Sequence, residues 1–226
     1  DRFYRFKLST PVLFVAYQFP PMAGPGVHRS LQFSKHLVDC NYQPIVLTID
    51  MPGIRAAHYP TDSTLLEGFP ESVQIVRTPY AQPSKWIKLL NRIRVYRIFW
   101  ALLYPIFWEK MALWPFKTLK IAKQIVSEHK IPLVYTTSGP FSALILGYLL
   151  KRSMGIKWVA DLRDPYTDAY SWRFPTYWHW VISRRFETWI LSKTDHLIVN
   201  TEAVKALYLQ RGILDAQRIS VIGNGY

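Results

Sequence analysis

Short apolar runs alternate with longer amphipathic ones along this chain, which predicts strands alternating with helices. Val12 to Ala16 reads as a buried strand, Pro44 to Ile49 as a second, and Val73 to Val76 as a short third. Leu133 to Thr137, Trp158 to Leu162, His196 to Val199 and Ile219 to Ile222 follow. Between them, Val27 to Val38 has helical spacing, with Val27, Leu31, Ser34, Leu37 and Val38 on one face. Phe141 to Met154, Tyr177 to Ser192 and Glu202 to Arg211 share that period. Lys85 to Glu128 is helical in pattern, broken at Pro105 and again near Pro115. Residues 52–72 and 78–84 carry repeated Pro and Gly and read as irregular connections.

This alternation implies an α/β fold with a doubly wound, mostly parallel sheet. Such sheets hold ligands at the carboxyl ends of their strands, near the point where strand order reverses. The loops of interest are therefore Gln18–Gly26, Ser138–Pro140, Arg163–Arg173 and Asn200–Thr201. A chain of 226 residues, half of them hydrophobic, can bury one sizeable core, and residues 1–226 read as a single domain.

Gly24-Pro25-Gly26 opens the first helix. Free N–H groups and the helix dipole make such a start an anion site, and glycine lets a phosphate approach the backbone. His28 and Arg29, in the first turn, are candidate additional donors. A dinucleotide site is a rival, with Asp50 ending the second strand as a ribose-binding acid would. Against it, the third glycine of that fingerprint is missing and Gly24 lies far from the first strand. A plain structural turn is the third reading.

Charge and aromatic content add a surface. Lys and Arg number 28 against 15 acids, a net charge of +13, and there are nine Trp and fourteen Tyr. Such a surplus attracts polyanions, and Trp beside basic residues favours a membrane surface over nucleic acid, for which no motif is present. The stretch 85–117 holds Trp86, Lys88, Arg92, Arg94, Arg97, Trp100, Trp114 and Lys117, and reads as a basic aromatic, membrane-facing helical insertion. Tyr170 to Trp189 repeats the theme; the rival reading of both is a core helix with a solvated basic face. The single cysteine, Cys40, builds no disulfide or metal site and reads as buried filler. The histidines show no metal spacing, so no metal is expected. No signal peptide or membrane-spanning run is expected: the run Ile98 to Trp108 is about half the roughly 20 residues required.

Five segments in order resemble the N-terminal half of GT-B-fold, family-4 (group 1) nucleotide-sugar glycosyltransferases. They are Phe19-Pro20-Pro21-Met22-Ala23-Gly24-Pro25-Gly26, Tyr135-Thr136-Thr137-Ser138-Gly139-Pro140, Asp161-Leu162-Arg163-Asp164-Pro165-Tyr166, Val199-Asn200-Thr201-Glu202 and Val221-Ile222-Gly223-Asn224-Gly225. The resemblance implies a Rossmann-like acceptor-side domain whose glycine loop (Gly24, Gly26, His28, Arg29) reaches the donor diphosphate. Ser138, Gly139, Asp161, Arg163, Asp164 and Thr201 become candidate acceptor or sugar contacts. Arg163 stands where many relatives have His, and its planar fork suits phosphate or a sugar hydroxyl. Gly139 departs from the family's Pro and is expected to loosen its loop. Asp164 and Arg163 are the candidate catalytic groups, and the alternative for the acids is pairing with Arg163 or capping a turn.

The resemblance further implies a retaining hexosyltransferase acting in cell-envelope polysaccharide synthesis. The single cysteine fits a reducing, cytoplasmic setting, and the basic and aromatic surplus implies a peripheral place on the membrane's inner face. Such an enzyme would need no cofactor, taking a nucleotide sugar as substrate and a lipid-linked or glycan acceptor. The donor-binding C-terminal domain is expected to lie outside the chain, leaving the isolated domain inactive. The alternative is a non-catalytic module of glycosyltransferase-like fold that docks a membrane or a partner.

Overall fold

The computed structural model describes residues 9–56, 58–79, 113–169, 174 and 176–224. Seven parallel strands form one sheet in the order β3-β2-β1-β4-β5-β6-β7. They are β1 (Thr10–Val15), β2 (Tyr42–Ile49), β3 (Gln74–Thr78), β4 (Leu133–Thr137), β5 (Lys157–Leu162), β6 (His196–Val199) and β7 (Ile219–Val221). The order reverses between β1 and β4, which pair directly, Val15 opposite Thr136. This is the switch point at which doubly wound sheets open a crevice.

Six α-helices complete the described fold: α1 (Pro25–Asp39), α2 (Met51–Ala56), α3 (Trp114–Glu128), α4 (Ser142–Met154), α5 (Tyr177–Leu191) and α6 (Glu202–Gln210). The strands read as continuous apolar runs because both sheet faces are covered. Leu13 and Val15 of β1 enter a large core with Trp114, Ala122, Leu144, Leu150 and Ile190. Val12, Phe14 and Ala16 point the other way, to Leu31 of α1, with Phe33 and Leu37 packed alongside.

Helix ends follow local chemistry. Pro115, read as a break, sits in the first turn of α3, where its missing N–H costs nothing. Gly155 ends α4 in the left-handed region at φ 70°. Thr176 and Thr201 cap α5 and α6, accepting from the N–H of His179 and Val204.

Three expectations are corrected. The stretch 52–72, read as an irregular connection, opens on the helix α2 and holds a 3-10 turn at Thr64–Leu66. Cys40 is exposed, because α1 stops at Asp39 and turns outward there. Trp114, read with the membrane-facing stretch, is fully buried; its Nε1 donates to Thr78 Oγ1 at 2.9 Å and its ring meets Tyr17 edge-on. Trp86, Lys88, Arg92, Arg94, Arg97 and Trp100 lie outside the described residues.

Candidate functional site at the carboxyl edge of the sheet

Three strand ends converge on Arg163. Its backbone N–H donates to Ser138 Oγ at 3.1 Å and its Nε to the Ser138 carbonyl at 2.8 Å, joining the ends of β5 and β4. Its Nη2 donates to Gln18 Oε1 at 3.1 Å, after β1. The guanidinium lies against the backbone of Gly26 and Gly139. A Cβ at Gly26 would collide with Nη1 of Arg163 and with Gln18 Oε1, and one at Gly139 with Nη2. Gly139 also has φ 111°, a region that favours glycine. Instead of loosening its loop, Gly139 makes room for the cation. Gly26 does the same, and Gly24 supplies the turn before α1 at φ 142°.

Nη1 of Arg163 has no hydrogen-bond partner among the described residues. Burial lowers the Arg163 pKa from its ordinary value, against the opposing pull of Asp161 and Asp164. Asp164 is exposed, with its carboxylate unpaired among the described residues. One strand over, Asn200 follows Val199, which pairs with Leu162. Its buried Oδ1 also lacks a partner among the described residues.

Asp161 has a different environment. It is fully buried, and Arg29 grips it with two bonds, Nη2 to Oδ1 at 2.6 Å and Nε to Oδ2 at 3.0 Å. Thr137 Oγ1 adds a third at 2.8 Å. Nη1 of Arg29 donates to the carbonyls of Ile222 and Gly223 and to Asn224 Oδ1, at 2.9, 3.2 and 3.1 Å. Phe33 lies beneath the guanidinium at 4.7 Å. Burial pulls the Arg29 pKa down, but the bond and charge of Asp161 outweigh it and the net shift is upward. Arg29, read from the sequence as a donor of the glycine loop, thus faces inward. Asp161 pairs with Arg29 rather than with Arg163.

The glycine loop is braced from outside. Ala23 N–H donates to Pro60 O and Asp62 N–H to Pro21 O, while Arg77 Nη2 holds Pro20 O at 2.7 Å. His28 is exposed at the head of α1. Asp50 Oδ1 accepts the Gly53 N–H at 2.8 Å and so closes the turn into α2, a structural role for the acid of the dinucleotide reading. Thr201 is exposed and its hydroxyl caps α6.

The family model for glycosyltransferase family 4 matches residues 26–226. The chain belongs to that family. No curated protein sequence matches it. Among solved structures, this family-4 chain is similar to the UDP-GlcNAc 2-epimerase of Methanocaldococcus jannaschii, with TM-score 0.52 and 13% identity over 95% of this chain and 45% of that one. S. aureus MnaA with UDP gives 0.56 and 13%, over 95% and 45%. Arabidopsis thaliana UGT89C1 complexed with UDP-L-rhamnose gives 0.50 and 10%, over 95% and 52%. At these identities the likeness shows the fold: a Rossmann-like half of the GT-B type. The chain spans about half the length of these structures.

One buried residue near the candidate site has no counterpart in the sequence reading. Glu187 of α5 is fully buried and accepts from the Tyr166 N–H (2.9 Å), Thr167 Oγ1 (2.5 Å), Tyr208 Oη (2.8 Å) and Arg211 Nη1 (2.7 Å). It holds the loop after Asp164 onto α5 and α6. Its signal was present: Ser183, Glu187, Ile190 and Leu191 form one buried stripe.

Proposed function

We propose that this chain is the acceptor-side domain of an enzyme that transfers a sugar from a nucleotide-sugar donor to a lipid-linked or cell-envelope glycan acceptor. The observation that carries this is Arg163, held by Ser138 and Gln18 between two glycines, with Nη1 uncommitted beside the free carboxylate of Asp164. A positioned guanidinium offers a charge-assisted bond to a diphosphate or a sugar hydroxyl. The N–H groups at the head of α1 and His28 supply further anion contacts. Asp164 and the orphan Oδ1 of Asn200 suit hydroxyls of the acceptor or the transferred sugar. Ser138 and Gly139 seat the Arg163 guanidinium, and Thr201 follows the neighbouring strand β6.

UDP in two of the similar structures makes a UDP-sugar the first donor to try. The donor's nucleotide would be held mainly by a second domain. The reaction needs no cofactor in this reading, and retention of configuration is the outcome the family resemblance favours.

The test is nucleotide release by the full-length gene product from a panel of UDP-sugars, with membrane extract as acceptor. Arg163→Ala is expected to lower kcat/KM by about 10- to 100-fold, the loss of one charge-assisted bond. Unchanged turnover in Arg163→Ala would remove Arg163 from the site and this reading with it.

A further inference from the structure

Seven large hydrophobic side chains are exposed among the described residues, and Tyr177, Trp178, Ile182 and Trp189 all belong to α5. Trp178, Ile182, Arg185 and Trp189 fall at i, i+4, i+7 and i+11, so they form one stripe along the helix. Trp178 is 71% and Trp189 44% exposed. A soluble surface rarely leaves such a stripe uncovered. The helix has a single acid, Glu187, and that side chain is buried on the opposite face. The exposed side therefore carries cations without acids. Arg184 stacks on Trp180 at 4.9 Å, and Arg185 faces solvent.

The basic character continues past the end of α5. Trp189 packs on Tyr148 of α4, and a shallow cationic depression beside it is lined by Lys151, Arg152, Lys193 and Arg218. Arg218 is engaged with the carbonyls of Thr194 and Asp195, and Lys151 pairs with Asp195, while Arg152 and Lys193 are exposed. Among the described residues no helix is long and apolar enough to cross a membrane.

We infer that the outer face of α5 docks on the surface of an anionic lipid bilayer, with the helix lying along the headgroup plane. Trp and Tyr have apolar rings with a polar edge and settle at that level, while Arg185, Lys193 and Arg152 meet lipid phosphates. The net charge of +13 adds a longer-range attraction. The face does not depend on the transfer reaction. Because α5 returns from the carboxyl end of β5, its Tyr177 end lies toward the sheet edge that carries Arg163.

The test is co-sedimentation of the purified chain with phosphatidylcholine vesicles, with or without phosphatidylglycerol, at low and high salt. Binding is expected only to the anionic vesicles, with release by salt and a blue shift of tryptophan emission on binding. Arg185→Glu with Lys193→Glu should weaken partitioning by more than about tenfold, since each cation near such a surface contributes about fivefold. Trp178→Ser with Trp189→Ser should abolish most of the blue shift. All four positions are exposed or partly so, and thermal melts verify that the variants fold. Lys35→Glu on α1, also exposed, should stay within about twofold of the parent.

Equal binding to neutral vesicles overturns the inference. So do α5 variants that bind like the parent, a Lys35→Glu loss as large as theirs, or salt-sensitive capture of a DNA duplex without vesicle binding.

Discussion

Arg29 and Arg163 reach the same edge of the sheet, one from the first turns of α1 and the other from the end of β5. Arg29 is 7% exposed, and each nitrogen of its fork has an acceptor: two on Asp161, three more on residues 222–224. Arg163 is half-buried, with two nitrogens held and the third without a partner among the described residues. Their neighbouring acids differ in the same sense, Asp161 enclosed and Asp164 in solvent. A buried cation is tolerated only when it is fully paired, so Arg29 belongs to the architecture. A cation that is positioned but left one donor short can still exchange water for a ligand, so Arg163 is the one of the two open to binding.

The sharpest way to break this contrast is Asp161→Asn. It strands Arg29 inside the protein and should reduce unfolding free energy by about 3–5 kcal/mol, read by chemical denaturation. A loss below about 1 kcal/mol would mean that the pair is wet and that Arg29 resembles Arg163 after all.

Gly26→Ala should act on the other arginine. The added methyl occupies the place of Nη1, so the fork must swing away at a strain of about 1–3 kcal/mol, while donor turnover in the full-length enzyme falls by about tenfold or more. Near-wild-type turnover would show that the glycine is required only for the turn.

The smallest effect is expected at the opposite edge, where the partly buried Asp195 pairs with Lys151 and Lys157 and accepts the Trp158 N–H. Partial burial acts to raise its pKa, but Lys151, the Trp158 N–H and Lys157 together hold it below the usual carboxylate value. A depressed pKa means stability that is present above the unfolded value near 4 and lost as pH falls through the folded one. Asp195→Asn should therefore reduce the unfolding free energy at pH 6 by less than about 1 kcal/mol, read as a slightly lower melting temperature. The difference should vanish once the pH is well below 4. A gap that persisted in acid would assign the effect to packing instead of charge.

The strand pattern was legible because strands buried on both faces must be apolar throughout, and β4 and β6 have the bounds their sequence implied. The loops of the site were legible for the same topological reason. What each polar residue does there was not. The partner of Asp161 lies 132 positions away, and local spacing carries no trace of it. Gly26 and Gly139 read as a phosphate approach and a loosened loop, since nothing nearby in sequence announces that a guanidinium fills the space between them. Trp114 looked like its neighbours in a basic aromatic run, yet one hydrogen bond to Thr78 fixes it in the core. Glu187 is hard to single out because an acid in a helix is usually solvated, although it falls on the Ser183–Leu191 stripe that the fold encloses.

The grip of Arg29 on Ile222, Gly223 and Asn224 also has a mechanical side. Those three contacts share one nitrogen, so residues 222–224 are coupled to α1 through a single side chain whose other two nitrogens are fixed on Asp161. At the head of that helix is the glycine turn, and against the turn lies Arg163. Residues 222–224 are thus tied both to the sheet, through the Ile222 N–H on the Val199 carbonyl, and to the helix whose head carries the glycine turn.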